Sequence, residues 1–290
     1  MDNLSLFATE DGSFTFWSEA YQETFHSSHG AKNEAEAKFV IPSQILQKAR
    51  CQGQVHILDI CYGLGYNTAA AIASLFELGN GRSAKVQIIG LENNLAVPQR
   101  AIAEGLVHIW PPAIAEILTI VAQHRCYHAE ALDLQLIIGD ARQTINQVPQ
   151  QWADAIFLDP FSPRHCPQLW TVEFMQLVAQ CLKPDGYLVT YSSAAAVRTA
   201  MISAGLEIGA IAPVGRKSPS TIAAFAPTPL PPLSELELAF LQTRTAIPYR
   251  DRTLTASASE ILSQRELEQQ NSPLLPSSQL RKKLKHSKPQ

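Results

Sequence analysis

From Val55 onward the chain alternates short, nearly unbroken apolar runs with helix-length segments, and this rhythm constrains the fold more than any other feature. VHILDI (55–60), KVQIIGLE (85–92), LQLIIGD (134–140), DAIFLD (154–159), GYLVTY (186–191), LEIGAIA (206–212) and TIAAFA (221–226) read as seven strands. A strand covered on both faces has no polar side to show, so it need not alternate. The intervening segments TAAAIASLFEL, AVPQRAIAEG, VEFMQLVAQCL and AAAVRTAMISAG carry helical patterning. Parallel strands need crossover helices. The pattern therefore predicts an α/β fold, a seven-stranded, mostly parallel sheet with helices on both faces.

Residues 51–226 make up this expected domain. Residues 1–50 form an N-terminal extension by which substrate and cofactor reach it. The extension holds an aromatic stretch from Phe14 to Phe25, then one or two helices with Phe39, Val40, Ile45 and Leu46 as apolar positions. Residues 227–290 read as a proline-rich linker (PTPLPPLSELE), a short helix in SELELAFLQTR, and a polar, basic tail expected to be partly extended. Five cysteines without regular spacing argue against a disulfide framework, and no His/Cys cluster has metal-ligand spacing. The N-terminus lacks a basic start and apolar signal core, and no run approaches the roughly 20 apolar residues that span a bilayer. The expectation is a cytoplasmic protein with no membrane and no metal partner. A net charge of −3 requires any nucleic-acid contact to be local.

Four successive strands end in an acid: Asp59, Glu92, Asp140 and Asp159. In open α/β sheets, ligands bind at that edge. Each acid alone is as readily a helix N-cap; four together are hard to attribute to chance. After the first strand, Gly63 and Gly65 allow a tight turn and close backbone approach, and the next helix starts near Asn67 and Thr68 with unpaired N–H groups. A dinucleotide site carries a third glycine, where this chain has Thr68. Asp59 repels a phosphate but suits a cationic amino-acid moiety; Glu92 suits a ribose diol and Asp140 an exocyclic amine on adenine. S-adenosyl-L-methionine meets all three requirements.

LDICYGLGYN, Glu92 and Asp140 resemble the first three motifs of the Rossmann-like class I methyltransferases. The resemblance implies cofactor contacts from Asp59, Cys61, Gly63, Gly65 and Asn67, from Glu92 and Asn93, from Asp140 and Ala141, and from Asp159. The turn Asp159-Pro160-Phe161 resembles the D/N-P-P-F/Y motif of enzymes that methylate amino nitrogens. It implies that Asp159 orients or deprotonates an amine, that Pro160 stiffens the turn and that Phe161 flanks the acceptor.

The longer pattern Asp159, Phe161, Pro163, Pro167, Trp170, followed by KPDGYLVTYSSAAAVRTAMISAGL and GRKSPSTIAAF, resembles the MnmC methyltransferase family. FHSSHGAKNEAEAKFVIPS resembles that family's aromatic, acidic segment before the first strand. The resemblance implies methylation of the aminomethyl group on a tRNA wobble uridine, after upstream wobble-uridine enzymes have installed that group. It points to Glu34, Phe161, Pro163, Arg164, His165, Trp170, Arg216 and Lys217 as substrate contacts. Pro160 stands where the family often has glycine. The 290 residues leave no room for the flavin-dependent oxidase domain of the bifunctional members, so a stand-alone methyltransferase is expected.

Further candidates for RNA contact are Arg250, Arg252 and the tail residues Arg281, Lys282, Lys283 and Lys285; such runs are as often plain solvated tails. His26 and His29, like His165, are candidates of lower weight. Two alternatives remain open on sequence: a spermidine-synthase-like aminopropyltransferase, and a non-catalytic S-adenosylmethionine-binding protein. A nicotinamide dehydrogenase is disfavoured by the missing third glycine.

Overall fold

The N-terminal aromatic segment is itself a small antiparallel sheet. Strands β1 (Leu4–Ala8), β2 (Phe14–Ser18) and β3 (Glu23–Thr24) pair in that order in a computed structural model that describes residues 3–77, 84–213 and 218–280. Asp11 closes the β1–β2 turn by accepting hydrogen bonds from the Thr9 hydroxyl and from the Ser13 N–H and hydroxyl. The chain then winds through helical turns at Ala31–Ala35 and Glu36–Val40 into the helix Ile45–Gln52, burying Phe39, Val40 and Ile45.

The main sheet comprises β4 (Gln54–Ile60), β5 (Lys85–Glu92), β6 (Cys126–His128), β7 (Leu132–Ile138), β8 (Ala153–Leu158), β9 (Leu182–Thr190), β10 (Glu207–Ile211) and β11 (Ser220–Ala224). Their order across the sheet is β10-β11-β9-β8-β4-β5-β7-β6. It has eight strands where sequence predicted seven. The extra one, Cys126–His128, is a short edge strand antiparallel to β7, too brief and too polar to announce itself by pattern. Strands β9, β8, β4, β5 and β7 run parallel, while β11 opposes both its neighbours.

The unbroken apolar runs have the expected cause. Val55, Ile57, Ala155 and Phe157 face one core, with Phe39, Ile72 and Leu118; Leu58, Ile60, Ile156 and Leu158 face the other, with Met175, Val178 and Met201. Successive side chains point to opposite faces, so a strand lying between two helical layers is apolar at most positions, with exceptions such as the buried Asp59 and Asp154. Deleting one such side chain, as in Phe157→Ala, costs about 3–5 kcal/mol.

The polar C-terminal region is more ordered than its composition suggests. Residues Ala258–Asn271 form a helix started by a capping box between Ser257 and Glu260. Its Ile261 is buried in the second core. Arg265 donates to the Ile247 carbonyl at 2.7 Å and lies over the Tyr249 ring at 4.4 Å. The expectation of an extended segment fails here because single anchors, rather than an apolar stripe, hold the helix in place. The helix Glu235–Phe240 has its own anchor in the buried Arg198, which donates to the Thr221 hydroxyl at 2.9 Å and pairs with Glu237.

Candidate active site

Strand order reverses at β4: β5 and β7 lie to one side, β8 and β9 to the other. The C-terminal ends of β4, β5 and β8 therefore flank the switch point, where open α/β sheets leave a crevice. A crevice lined by polar and aromatic side chains lies there. Glu92, Asn93, Cys61, Gly63, Asp159, Pro160 and Phe161 line it, as does Glu34 from the N-terminal extension.

The glycine turn is built for close approach. Cys61, Gly63 and Gly65 all have positive φ. A Cβ on Gly65 would stand 2.7 Å from the Tyr62 hydroxyl, so that position admits no side chain. The turn is pinned to β5 by Cys61 and Tyr62 N–H groups on the Leu91 carbonyl, and by the Gly63 N–H on Glu92 at 2.8 Å. The other Glu92 oxygen accepts the Asn94 N–H at 2.9 Å. Burial pushes the Glu92 carboxyl up, against these backbone donors. Each oxygen keeps a lone pair for a ligand hydroxyl.

Asp159, just past β8, accepts the Asn67 amide N–H at 2.9 Å. Pro160 presents its carbonyl to the Tyr191 hydroxyl at 2.9 Å. Phe161 stacks on Tyr21 with ring centroids 4.3 Å apart and meets Phe25 edge-on at 4.8 Å. Its turn is tied to the N-terminal sheet by Glu23, which accepts the Ser162 N–H at 2.9 Å.

Several predicted site residues occupy other positions. Asp59 is fully buried beneath the glycine turn, where one oxygen accepts the Thr68 hydroxyl at 2.7 Å and the other has no hydrogen-bond partner. Burial pushes its carboxyl up to about 7, against the Thr68 bond and helped by the charges of Asp159 and Glu92. It does not line the crevice. Asn67 is likewise buried, its carbonyl oxygen unpartnered. Trp170 is a core residue with no exposed surface; its indole N–H donates to the Phe161 carbonyl at 2.8 Å and so braces the acceptor loop rather than touching a substrate. Pro163 is half-buried, and Arg164 and His165 are exposed; none of the three lines the crevice. Arg216 and Lys217, and the tail Arg281, Lys282, Lys283 and Lys285, lie outside the described residues. Arg250 is held by Glu173 at 3.0 Å, and His29 is paired with Glu10.

Glu34 pairs with buried Lys38 and accepts the Ser27 N–H and hydroxyl at 2.9 and 2.8 Å. Burial pushes its carboxyl up, but Lys38 and Ser27 prevail and hold it near 2. His26, also lining the crevice, is buried against Tyr66, and burial lowers it to about 4. Sequence reasoning missed Tyr21, Glu23, Phe25, Cys166, Leu169 and Tyr191 as crevice residues. The aromatic density of residues 14–25 was a visible signal, but nothing in it said that the segment folds over the glycine turn.

A second cavity adjoins the first and shares Tyr21, Cys61, Asn93, Cys166 and Leu169 with it. Asp140, Ala141, Arg142, Leu91 and Gln168 complete its walls. Asp140 caps the short helix Ala141–Thr144 and is gripped by the Arg142 guanidinium.

The charge pattern selects the ligand. The main crevice is lined by four carboxylates, Glu23, Glu34, Glu92 and Asp159, and by no lysine or arginine among the described residues. A pyrophosphate finds no counter-charge there, whereas a sulfonium and an ammonium do. The sequence profile of a family described as S-adenosyl-L-methionine-dependent methyltransferase matches residues 99–226. Fold, crevice and profile together define a class I S-adenosylmethionine-dependent methyltransferase. The crystal structure of MnmC2 from Aquifex aeolicus matches at a TM-score of 0.83 and 35% identity, covering 94% of this chain and 87% of that one. An uncharacterised protein of Methanocaldococcus jannaschii is 31% identical over 271 residues, 90% of this chain and 71% of the relative. The tRNA 5-methylaminomethyl-2-thiouridine biosynthesis bifunctional protein MnmC of Azoarcus sp. (strain BH72) is 31% identical over 214 residues, 70% of this chain and 33% of that protein. The chain thus spans about one third of that bifunctional relative's length. It belongs to the MnmC-type S-adenosylmethionine-dependent methyltransferases.

Proposed function

We propose that the protein transfers a methyl group from S-adenosylmethionine to the aminomethyl nitrogen of a modified wobble uridine in tRNA. The observation that carries this reading is the Asp159-Pro160-Phe161 turn: it lines the same crevice as Glu92, and its carboxylate is oriented by Asn67. Relatives named for tRNA 5-methylaminomethyl-2-thiouridine biosynthesis support the choice of acceptor.

The bound donor supplies a methyl group on a positively charged sulfur. Everything else falls to the chain. Glu92 takes the ribose hydroxyls with the lone pairs left by Gly63 and Asn94. An aliphatic amine attacks only through a free lone pair, so its ammonium must first lose a proton. Asp159 accepts an N–H hydrogen bond, aims the lone pair at the methyl group and takes the released proton toward solvent. The Tyr191 bond to the Pro160 carbonyl and the Trp170 bond to the Phe161 carbonyl fix the turn, so that little reorganisation accompanies attack. The Tyr21–Phe161 stack offers a flat face beside which a pyrimidine ring can lie. Exposed Arg164, three residues past Phe161, is available as a phosphate contact.

The test is nucleoside mass spectrometry of tRNA incubated with the protein and methyl-labelled S-adenosylmethionine. The tRNA should carry the aminomethyl precursor. Conversion of aminomethyluridine to labelled methylaminomethyluridine is expected. Unchanged tRNA, together with aminopropyl transfer from the decarboxylated donor to putrescine, would sink the assignment.

A further inference from the structure

Asp140, just past β7, lines the second cavity with its side chain 40% exposed. Its carboxylate is met by N–H groups of one residue, Arg142. The backbone N–H donates to one oxygen at 2.9 Å, Nη2 donates to the other at 2.6 Å, and the single Nε–H is shared between both at 3.1 Å. A carboxylate has about four acceptor sites, so a lone pair is left for a ligand. Asn93, beside the ribose acid Glu92, lines both cavities. The base then lies beyond it, among the apolar walls Leu91, Ala141 and Leu169.

Where that lone pair points depends on Arg142, and Arg142 is held from elsewhere. Its Nη1 donates to the Asp251 carboxylate and to the Ala256 carbonyl, both at 2.9 Å. A guanidinium is rigid and flat, so holding one edge of it fixes the fork that the other edge presents to Asp140. Asp251 is itself immobilised. Its side chain has no exposed surface, and its second oxygen accepts the Thr253 hydroxyl at 3.1 Å and the Thr255 and Ala256 N–H groups at 3.3 Å. Its own N–H donates to Glu173 at 2.8 Å, and the nearby Tyr249 carbonyl accepts the Val172 N–H at 3.1 Å. The C-terminal segment is thereby fastened to the start of the helix Val172–Cys181. A buried ion pair adds little net stability over an apolar contact of the same shape. What the chain Asp140–Arg142–Asp251 does supply is direction.

We infer that Asp251 is a positioning residue of the adenine subsite: by fixing the Arg142 guanidinium, it turns the open lone pair of Asp140 onto the 6-amino group of the cofactor's adenine. A stretch that reads in sequence as tail is then part of the cofactor site. The inference rests on Asp140 as the adenine acceptor and is indifferent to which amine is methylated.

The experiment is titration calorimetry with two ligands: S-adenosylhomocysteine, and its 6-deamino analogue, in which hydrogen replaces the amino group. Wild-type protein should bind the analogue about tenfold more weakly or worse, the worth of a hydrogen bond to a charged acceptor. Asp140→Ala should bind the two ligands alike. Asp251→Asn should shrink the wild-type preference to about threefold or less, while its affinity for the analogue stays within about threefold of wild type. Arg142→Lys keeps the charge between the two acids but loses the fork, and should shrink the preference in the same way; it carries the test if Asp251→Asn does not fold. A purely structural role for Asp251 weakens both ligands equally and leaves their ratio intact, so a variant with the wild-type ratio overturns the inference alone. Equal binding by wild-type protein, or full discrimination by Asp140→Ala, overturns the reading of Asp140 and the inference with it. Methyl transfer plays no part in these measurements, so failure of the tRNA assay beside intact binding results counts against the acceptor only.

Discussion

Asp59 sets up a measurable pH dependence of stability. It is fully buried, and its carboxyl sits near 7 against an ordinary 3.8. Between those values the folded protein holds a proton that the unfolded chain has released, so stability falls as pH rises across that window and levels off above it. At 1.36 kcal/mol per pKa unit, this one side chain removes about 4 kcal/mol of stability between pH 4 and pH 8. Other groups act in the same range. The depressed His26, at about 4, gives the opposite slope up to its ordinary 6.5, and Glu34 gives stability that is lost only in stronger acid. Asp59→Asn isolates the effect, because the amide has no charge to lose and still accepts the Thr68 hydroxyl. Urea denaturation of both proteins across pH 4–8 should give stability curves that separate steadily, the variant gaining about 4 kcal/mol on the wild type by pH 8. Parallel curves would refute the reasoning, since they would mean that Asp59 ionises as easily folded as unfolded.

Asp159→Ala should cut turnover about a hundredfold or more while S-adenosylhomocysteine affinity stays within about threefold, read by steady-state kinetics beside calorimetry. A collapse of cofactor binding would place Asp159 in the donor pocket instead. Glu92→Gln should weaken cofactor binding about tenfold to a hundredfold, because an amide can accept from only one of the Gly63 and Asn94 N–H groups and turns its own NH₂ on the other. Gly65→Ala forces a side chain into a left-handed turn and against Tyr62; thermal unfolding should show a loss of about 2 kcal/mol or more, several degrees in Tm.

How far the sequence could be read depended on the kind of signal. The parallel sheet was plain because a strand between two layers leaves an unbroken apolar run, as IFL at 156–158 does. Glu92 and Asp159 were legible as crevice residues because strand ends in such sheets converge. What strand ends do not reveal is which way a side chain turns or what has already claimed it. Asp59 points down to Thr68, and Asp140 is paired with Arg142. Trp170 fell within a loop pattern that suggested substrate, yet burial decided its role. The roof of the crevice was least legible. Tyr21, Glu23 and Phe25 reach it from a three-stranded sheet whose strands are two to five residues long, and so short a period marks no sheet in sequence.

That roof is stitched to the acceptor loop. Glu23 holds the Ser162 N–H and Tyr21 lies flat on Phe161, so any displacement of the N-terminal sheet would also disturb the slot proposed for the amine. An amine bound in the proposed slot would therefore brace that roof as well, and ordered release, methylated product before S-adenosylhomocysteine, is the outcome expected of product-inhibition kinetics; random release would separate the two pockets.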